Sequence, residues 1–134
     1  MFLQSIKMSD RLAFINLANI LIRIDGVISP DEIEVVEAYM EEMQVDEINY
    51  NTEITFEEII NSISEDQTTR RIIIFELLGI AYSDADYSLE EKSFIYKVGN
   101  ALRIDDEKLE QLEISVSNLI DDTQYATDLV SGVI

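Results

Sequence analysis

The sequence predicts an all-α fold, a single-domain array of about six helices built from a duplicated helix-turn-helix unit. Three observations carry this. Nearly every long segment spaces its apolar residues for a helix rather than alternating them. Three Ser/Thr-x-x-Glu capping boxes mark helix starts at Ser29, Thr55 and Ser88. A shift of 59 residues brings two stretches of the chain into register. With 134 residues, 47% of them hydrophobic, the chain suits one domain over residues 1–134.

The first helix covers Leu12 to Ile24 and is apolar nearly all round, which places it centrally. Arg23 stands in its last turn, where a cation complements the carbonyl end. Ser29 then caps a second helix, Pro30 to Met43, with Pro30 at its first position and Glu32 closing the box. Ile28 and Ile33 occupy the positions of a hydrophobic staple. Ile33, Val36, Met40 and Met43 form its inward face, while Glu34, Glu37, Glu41 and Glu42 face water.

Gln44 to Ile54 is polar and reads as a loop. Thr55 and Glu58 open a short third helix with Phe56, Ile59, Ile60 and Ile63, stapled by Ile54 and Ile59. Arg70 to about Ser83 is the fourth helix, since its apolar run is too long for a strand. Arg70–Arg71 fall in its first turn, where cations are disfavoured, which predicts a salt bridge to a carboxylate. Ser88 and Glu91 open a fifth helix to about Arg103, with Phe94, Ile95, Val98 and Leu102 inward. Gly79 and Gly99 lie inside helices at a cost of about 1 kcal/mol each relative to Ala, which points to close approach of helix backbones. The last helix runs from Asp106 to Leu119 with Leu109, Leu112, Val116 and Leu119 apolar. Residues 121–134 carry Tyr125, Leu129, Val130 and Val133 and either dock on the core or fray.

The repeat halves span about 10–46 and 70–105. The shift pairs Asp25 with Asp84, Ser29 with Ser88, Glu32 with Glu91 and Asp46 with Asp105. Each copy is an apolar helix, a tight turn and a capped amphipathic helix, and two such hairpins make one pseudo-twofold array.

Charge is the compositional outlier: 28 Asp+Glu against 9 Lys+Arg give −19. Nucleic acid and anionic membranes are repelled by such a surface, leaving cations, basic proteins and neutral apolar surfaces as partners. His, Cys and Trp are absent. Those zeros exclude His or Cys nucleophiles, zinc or copper sites of the usual kind, a Ser-His-Asp triad and disulfides. With no signal peptide and no apolar run long enough to span a membrane, the cytoplasm is the expected location.

Two turns concentrate oxygen ligands where helices end. Asp25 and Ser29, with Glu32, and then Asp84, Asp86 and Ser88, with Glu91, offer a hard-cation site for Ca2+ or Mg2+, near carbonyls at the negative ends of helices. Capping chemistry explains the same residues, with Gly26 as the left-handed residue after a helix and each Glu engaged with backbone. An EF-hand is excluded. Its loop needs Gly at position 6 and Glu at 12; counting from Asp84 finds Leu89 and Ile95, and from Asp25, Pro30 and Val36. No phosphate-binding glycine loop occurs.

The motif residues resemble the TerB-like family, which comprises the tellurite-resistance TerB proteins and the N-terminal domain of certain membrane-anchored J-domain proteins. Asp25, Gly26 and Glu32 match its first motif, and Asp84 and Glu91 the second, with Ala85 where the family has Gly. The resemblance covers roughly Phe14–Asp46 and Phe75–Asp105. It implies an acidic helical domain without established catalysis, binding a protein partner or a divalent cation in metal or stress response. The other function class to weigh is a hydrolase using carboxylate-held Mg2+, which needs acids converging in a deep pocket.

Overall fold

The computed structural model describes residues 2–24, 30–42, 54–83 and 87–132, apart from the side chains of residues 31, 32, 35, 39 and 42. Among these residues are a 3-10 turn, Leu3–Ser5, and six α-helices: α1 (Met8–Leu21), α2 (Pro30–Glu42), α3 (Phe56–Ser62), α4 (Gln67–Ala81), α5 (Leu89–Ala101) and α6 (Asp106–Ser131). No strand occurs among them.

The repeat is visible in the element bounds. Adding 59 to Met8–Leu21 gives 67–80, against Gln67–Ala81 for α4, and adding it to Pro30–Glu42 gives the bounds of α5. Packing follows the same rule: α1 and α4 lie against each other, α3 lies on α1 as α6 lies on α4, and α2 reaches α4 as α5 reaches α1. The apolar sequences of α1 and α4 explain why they take the centre. Phe14, Ile15, Leu17, Ala18 and Leu21 of α1 and Ile73, Ile74, Leu77, Leu78 and Ile80 of α4 are buried together. Each large aliphatic side chain removed from water contributes about 1.5–3 kcal/mol.

The caps form as the sequence predicts at two of three sites. Thr55 Oγ1 accepts from Glu58 N at 3.2 Å, and Glu58 Oε1 accepts from Thr55 N at 3.3 Å. The box at Ser88 is described below, and the one at Ser29, with its Ile28 staple, lies outside the described residues. So do Gly26, Met43 and Asp46.

Several expectations need correction. The first helix ends at Leu21, and Ile22–Ile24 tighten into a turn through Arg23 N to Ile20 O at 3.1 Å and Ile24 N to Leu21 O at 3.3 Å, which leaves Ile24 exposed. On α2 the core-facing strip centres on Val36 and Met40, so Ile33 falls at its edge, 39% exposed. On α6 the buried positions are Leu109, Glu113 and Val116, followed by the partly buried Ile120; this phase turns Leu119 outward. The helix also continues to Ser131, where Gly132 ends it at φ 81°, so residues 121–131 neither dock nor fray.

A further correction concerns Arg70. Asp66 caps α4, its side chain accepting from Thr69 N at 3.0 Å, so the arginine pair sits beyond the first turn. Arg70 is buried and donates to backbone carbonyls, Nε to Ser64 O and Nη1 to Leu102 O, both at 3.0 Å. Its repeat counterpart is Arg11, whose guanidinium binds the carbonyls of Leu3, Gln4 and Ile6 at 2.9–3.1 Å. At Arg70 carbonyls serve in place of the expected carboxylate because its guanidinium faces chain that has just left α3 and α5, where carbonyls lack intrahelical partners. Beside Arg11, buried Asp10 accepts from Ser64 N at 2.9 Å and Ser64 Oγ at 2.7 Å, joining α1 to the link before α4.

Helix α5 ends in a Schellman motif: Ile104 N donates to Gly99 O at 2.9 Å and Arg103 N to Asn100 O at 3.0 Å, with Arg103 at φ 63°. Gly99 is required by a side chain rather than a backbone. A Cβ there would lie 2.5 Å from Leu109 Cδ2 and 2.8 Å from Cδ1.

Two stability predictions follow from this helix end. Arg103→Gly removes the left-handed penalty and raises unfolding stability by about 1 kcal/mol in urea denaturation. Gly99→Ala gains helix propensity but crowds buried Leu109, for a net loss of about 1 kcal/mol. A double-mutant cycle with Leu109→Ala checks the cause: the Gly99→Ala loss disappears in that background.

Candidate functional site

The two candidate cation turns are only partly within the described residues. Asp25, Ser29, Asp84 and Asp86 lie outside them, and so does the side chain of Glu32, whose backbone is in the first turn of α2. Ser88 and Glu91 are described and come together as a cap. Glu91 N donates to Ser88 Oγ, and Ser88 N donates to the buried Glu91 carboxylate at Oε1, both at 3.1 Å. That Oε1 therefore holds backbone. Just before residues 25–29, Arg23 reaches back along α1, its Nη1 2.9 Å from Asn19 Oδ1 and 3.2 Å from Asn19 O. A cation already occupies one of the carbonyls at that helix end. Among the described residues no three His, Cys, Asp or Glu side chains converge on a common metal position.

A second polar centre was not legible as a motif. Glu113, on the inward face of α6, is buried, and its two oxygens accept from two phenols. Tyr87 Oη donates to Oε2 at 2.7 Å, and Tyr96 Oη donates to Oε1. Tyr87 lies just before the cap of α5 and Tyr96 within that helix, so the carboxylate ties both to α6. Lys92 Nζ stands 3.9 Å from Oε2 and 5.6 Å from the Tyr96 ring centroid. The Tyr82 ring packs on Tyr87 with centroids 4.6 Å apart. Together Tyr82, Tyr87, Lys92, Glu110, Glu113 and Ser117 line an open cleft of about 530 Å³.

Burial raises the ionisation of Tyr87 and of Tyr96 far above the usual phenol range, and the Glu113 carboxylate raises both further. Tyr82 is raised as well, first by burial and then by the charge of Glu113. With both phenols donating, each Glu113 oxygen accepts a hydrogen bond, and the group ties α5 and the residue before its cap to α6. One sequence signal does mark it. Glu113 stands four residues after Leu109 and three before Val116, where the helical pattern calls for an apolar residue.

A protein-family model described as "Tellurite resistance protein TerB" matches residues 11–114. The matched span runs from the start of the first core helix to just past Glu113 and leaves the outer part of α6 beyond it. No curated protein and no solved structure matches the chain.

The phenol pair predicts alkaline instability. A Tyr whose ionisation is raised on folding contributes stability that is whole below the free phenol value of about 10 and is lost as pH rises above it, because the unfolded chain then releases protons that the folded one keeps. Urea midpoints measured at increasing pH should fall beyond that point, and the fall should be shallower in Tyr87→Phe. An equal slope in the variant would detach Tyr87 from the effect.

Proposed function

The chain belongs to the TerB family, and on that premise we propose that it is a non-catalytic acidic binding module. It acts in the cytoplasm, in stress response, by taking a cationic ligand, either a basic segment of a partner protein or a divalent cation. The observation that carries this reading is the distribution of charge. Residues 24–69 hold 14 of the 28 acids and no Lys or Arg at all. Within that stretch α2 turns Glu34, Glu37 and Glu41 to solvent along one strip, three and four residues apart. Carboxylates with no cation interleaved sum their fields and draw cations in, while repelling phosphate backbones and anionic lipid. No helix among the described residues is long and apolar enough to cross a membrane.

The repeat supports the divalent-cation form. Residues 25–32 follow α1 in the chain as residues 84–91 follow α4, so the acid-rich segments hold equivalent sequence positions in the two halves. The hydrolase reading requires carboxylates gathered in one pocket, and among the described residues no three Asp or Glu side chains come together.

Titration calorimetry with Ca2+, Mg2+ and Mn2+ separates the two ligands. Saturable uptake weakened tenfold or more by Asp25→Asn or Asp84→Asn identifies the cation. Unsaturable uptake indifferent to both leaves the basic protein. Turnover of a phosphate ester in Mg2+, abolished by Asp84→Asn, would sink the non-catalytic reading.

A further inference from the structure

The outer part of α6 stands in solvent without a cover. Residues 121–131 are exposed except for the half-buried Asp128, and about 16 Å of helix lies beyond the last core contact at Ile120. A helix segment of this length is marginal in water. Its composition does not help: Thr123, Thr127 and Val130 are β-branched, and no Lys or Arg follows Lys108 to form an ion pair along the helix. Asp128 and the absence of any basic residue in the last turn set negative charge at the negative end of the dipole.

The same segment shows water a large apolar surface. Val130 is 91% exposed, Tyr125 60% and Leu129 50%. At about 100° per residue, Val130, Leu119, Ala126, Leu129 and Tyr125 fall in one arc about 140° wide. Asp122 lies inside the arc, and Asp121 and Asp128 run along its Tyr125 edge. Thr123, Ala126 and Val130 also line a shallow depression on its other side. An apolar arc with acids within it and along one edge, and no base beside it, fits an apolar partner face that carries bases. A second copy fits poorly, because residues 109–134 carry five acids and no Lys or Arg, and two such tails bring like charges together.

We propose that residues 119–131 dock a cationic amphipathic helix of a partner protein. Its apolar face covers Leu119, Ala126, Leu129 and Val130, and its Lys or Arg side chains meet Asp121, Asp122 and Asp128. This rests on the basic-protein form of the function above and assigns it a place on the molecule. The partner also brings positive charge to the carboxyl end of α6, where the chain supplies none.

The test uses the full chain and a fluorescently labelled synthetic Lys/Leu peptide patterned as an amphipathic helix, with a Lys/Ser peptide of equal charge as control. Anisotropy should show the Lys/Leu peptide binding at least tenfold more tightly than the control, with affinity falling as salt rises. Leu129→Glu/Val130→Glu should weaken binding tenfold or more at unchanged melting temperature of the body. The loss would be telling, because the added carboxylates alone would strengthen attraction to a cationic peptide. Undiminished binding by this variant overturns the proposal. A comparison with Glu34→Gln/Glu37→Gln/Glu41→Gln distinguishes the two levels: loss in that variant alone keeps the acidic module and removes the tail site, and loss in neither removes both. Light scattering showing a dimer that Leu129→Glu/Val130→Glu dissociates would make the cover a second copy and overturn the proposal as well.

Discussion

Two helices that are apolar on nearly every side leave no face for water, and the burial of α1 against α4 constrains everything around them. Packing the two on each other covers only one flank of each. The remaining flanks need amphipathic partners, and the chain supplies them after each core helix: α2 and α3 follow α1, and α5 and α6 follow α4. A cover helix needs one apolar stripe, so its other face is free to take charge without loss of core. That is where much of the acid sits, on the exposed sides of α2, α3, α5 and α6. The high negative charge is thus compatible with the fold because the core helices themselves carry so little of it. The two buried acids of those helices, Asp10 and Glu76, both accept backbone amides, from Ser64 and Phe2 respectively.

The cations are used differently from the acids. Arg11 and Arg70 stand at equivalent places in the two halves and bind carbonyls, which places positive charge against backbone dipoles. Lys97 lies over the Phe56 ring at 4.4 Å, joining α5 to α3, and Lys92 stands beside Glu113. Several of the nine basic residues are therefore occupied in holding elements together. The exterior acid is correspondingly under-neutralised, which makes a cationic ligand the complementary one.

Local chemistry made much of the fold legible in the sequence. Thr55–Glu58 and Ser88–Glu91 mark helix starts because a cap needs only residues three apart. The 59-residue register was readable for the same reason: it rests on the order of apolar and capping positions, and the helix bounds reproduce it. What escaped depended on partners distant in the chain. Arg70 looked unfavourably placed until the Leu102 carbonyl, 32 residues away, was brought to it. Glu113 broke the apolar pattern of α6, and only the approach of Tyr87 and Tyr96 explains a carboxylate there. The same residue set the phase that turned Leu119 outward in favour of Ile120. The end of α6 was hidden because residues 121–131 have no core to face, so the periodicity that marks a helix had no burial to select it. Of the candidate cation residues, Ser88 and Glu91 were legible as a cap, and the other carboxylates, of Asp25, Glu32, Asp84 and Asp86, fall outside the described residues.

The Tyr87–Glu113–Tyr96 group gives α6 mechanical character. A helix of 26 residues is about 39 Å long, and this one is clamped along its first half by Leu109, Val116 and the paired phenols. The part beyond Ile120 is then a lever held at its base by these contacts. Whatever grips the tip exerts torque on the phenol–carboxylate group, and through Tyr87 that load passes to the start of α5, directly after residues 84–86. Load at the free end of α6 and the seat of Tyr87 beside α5 are thereby joined through one helix.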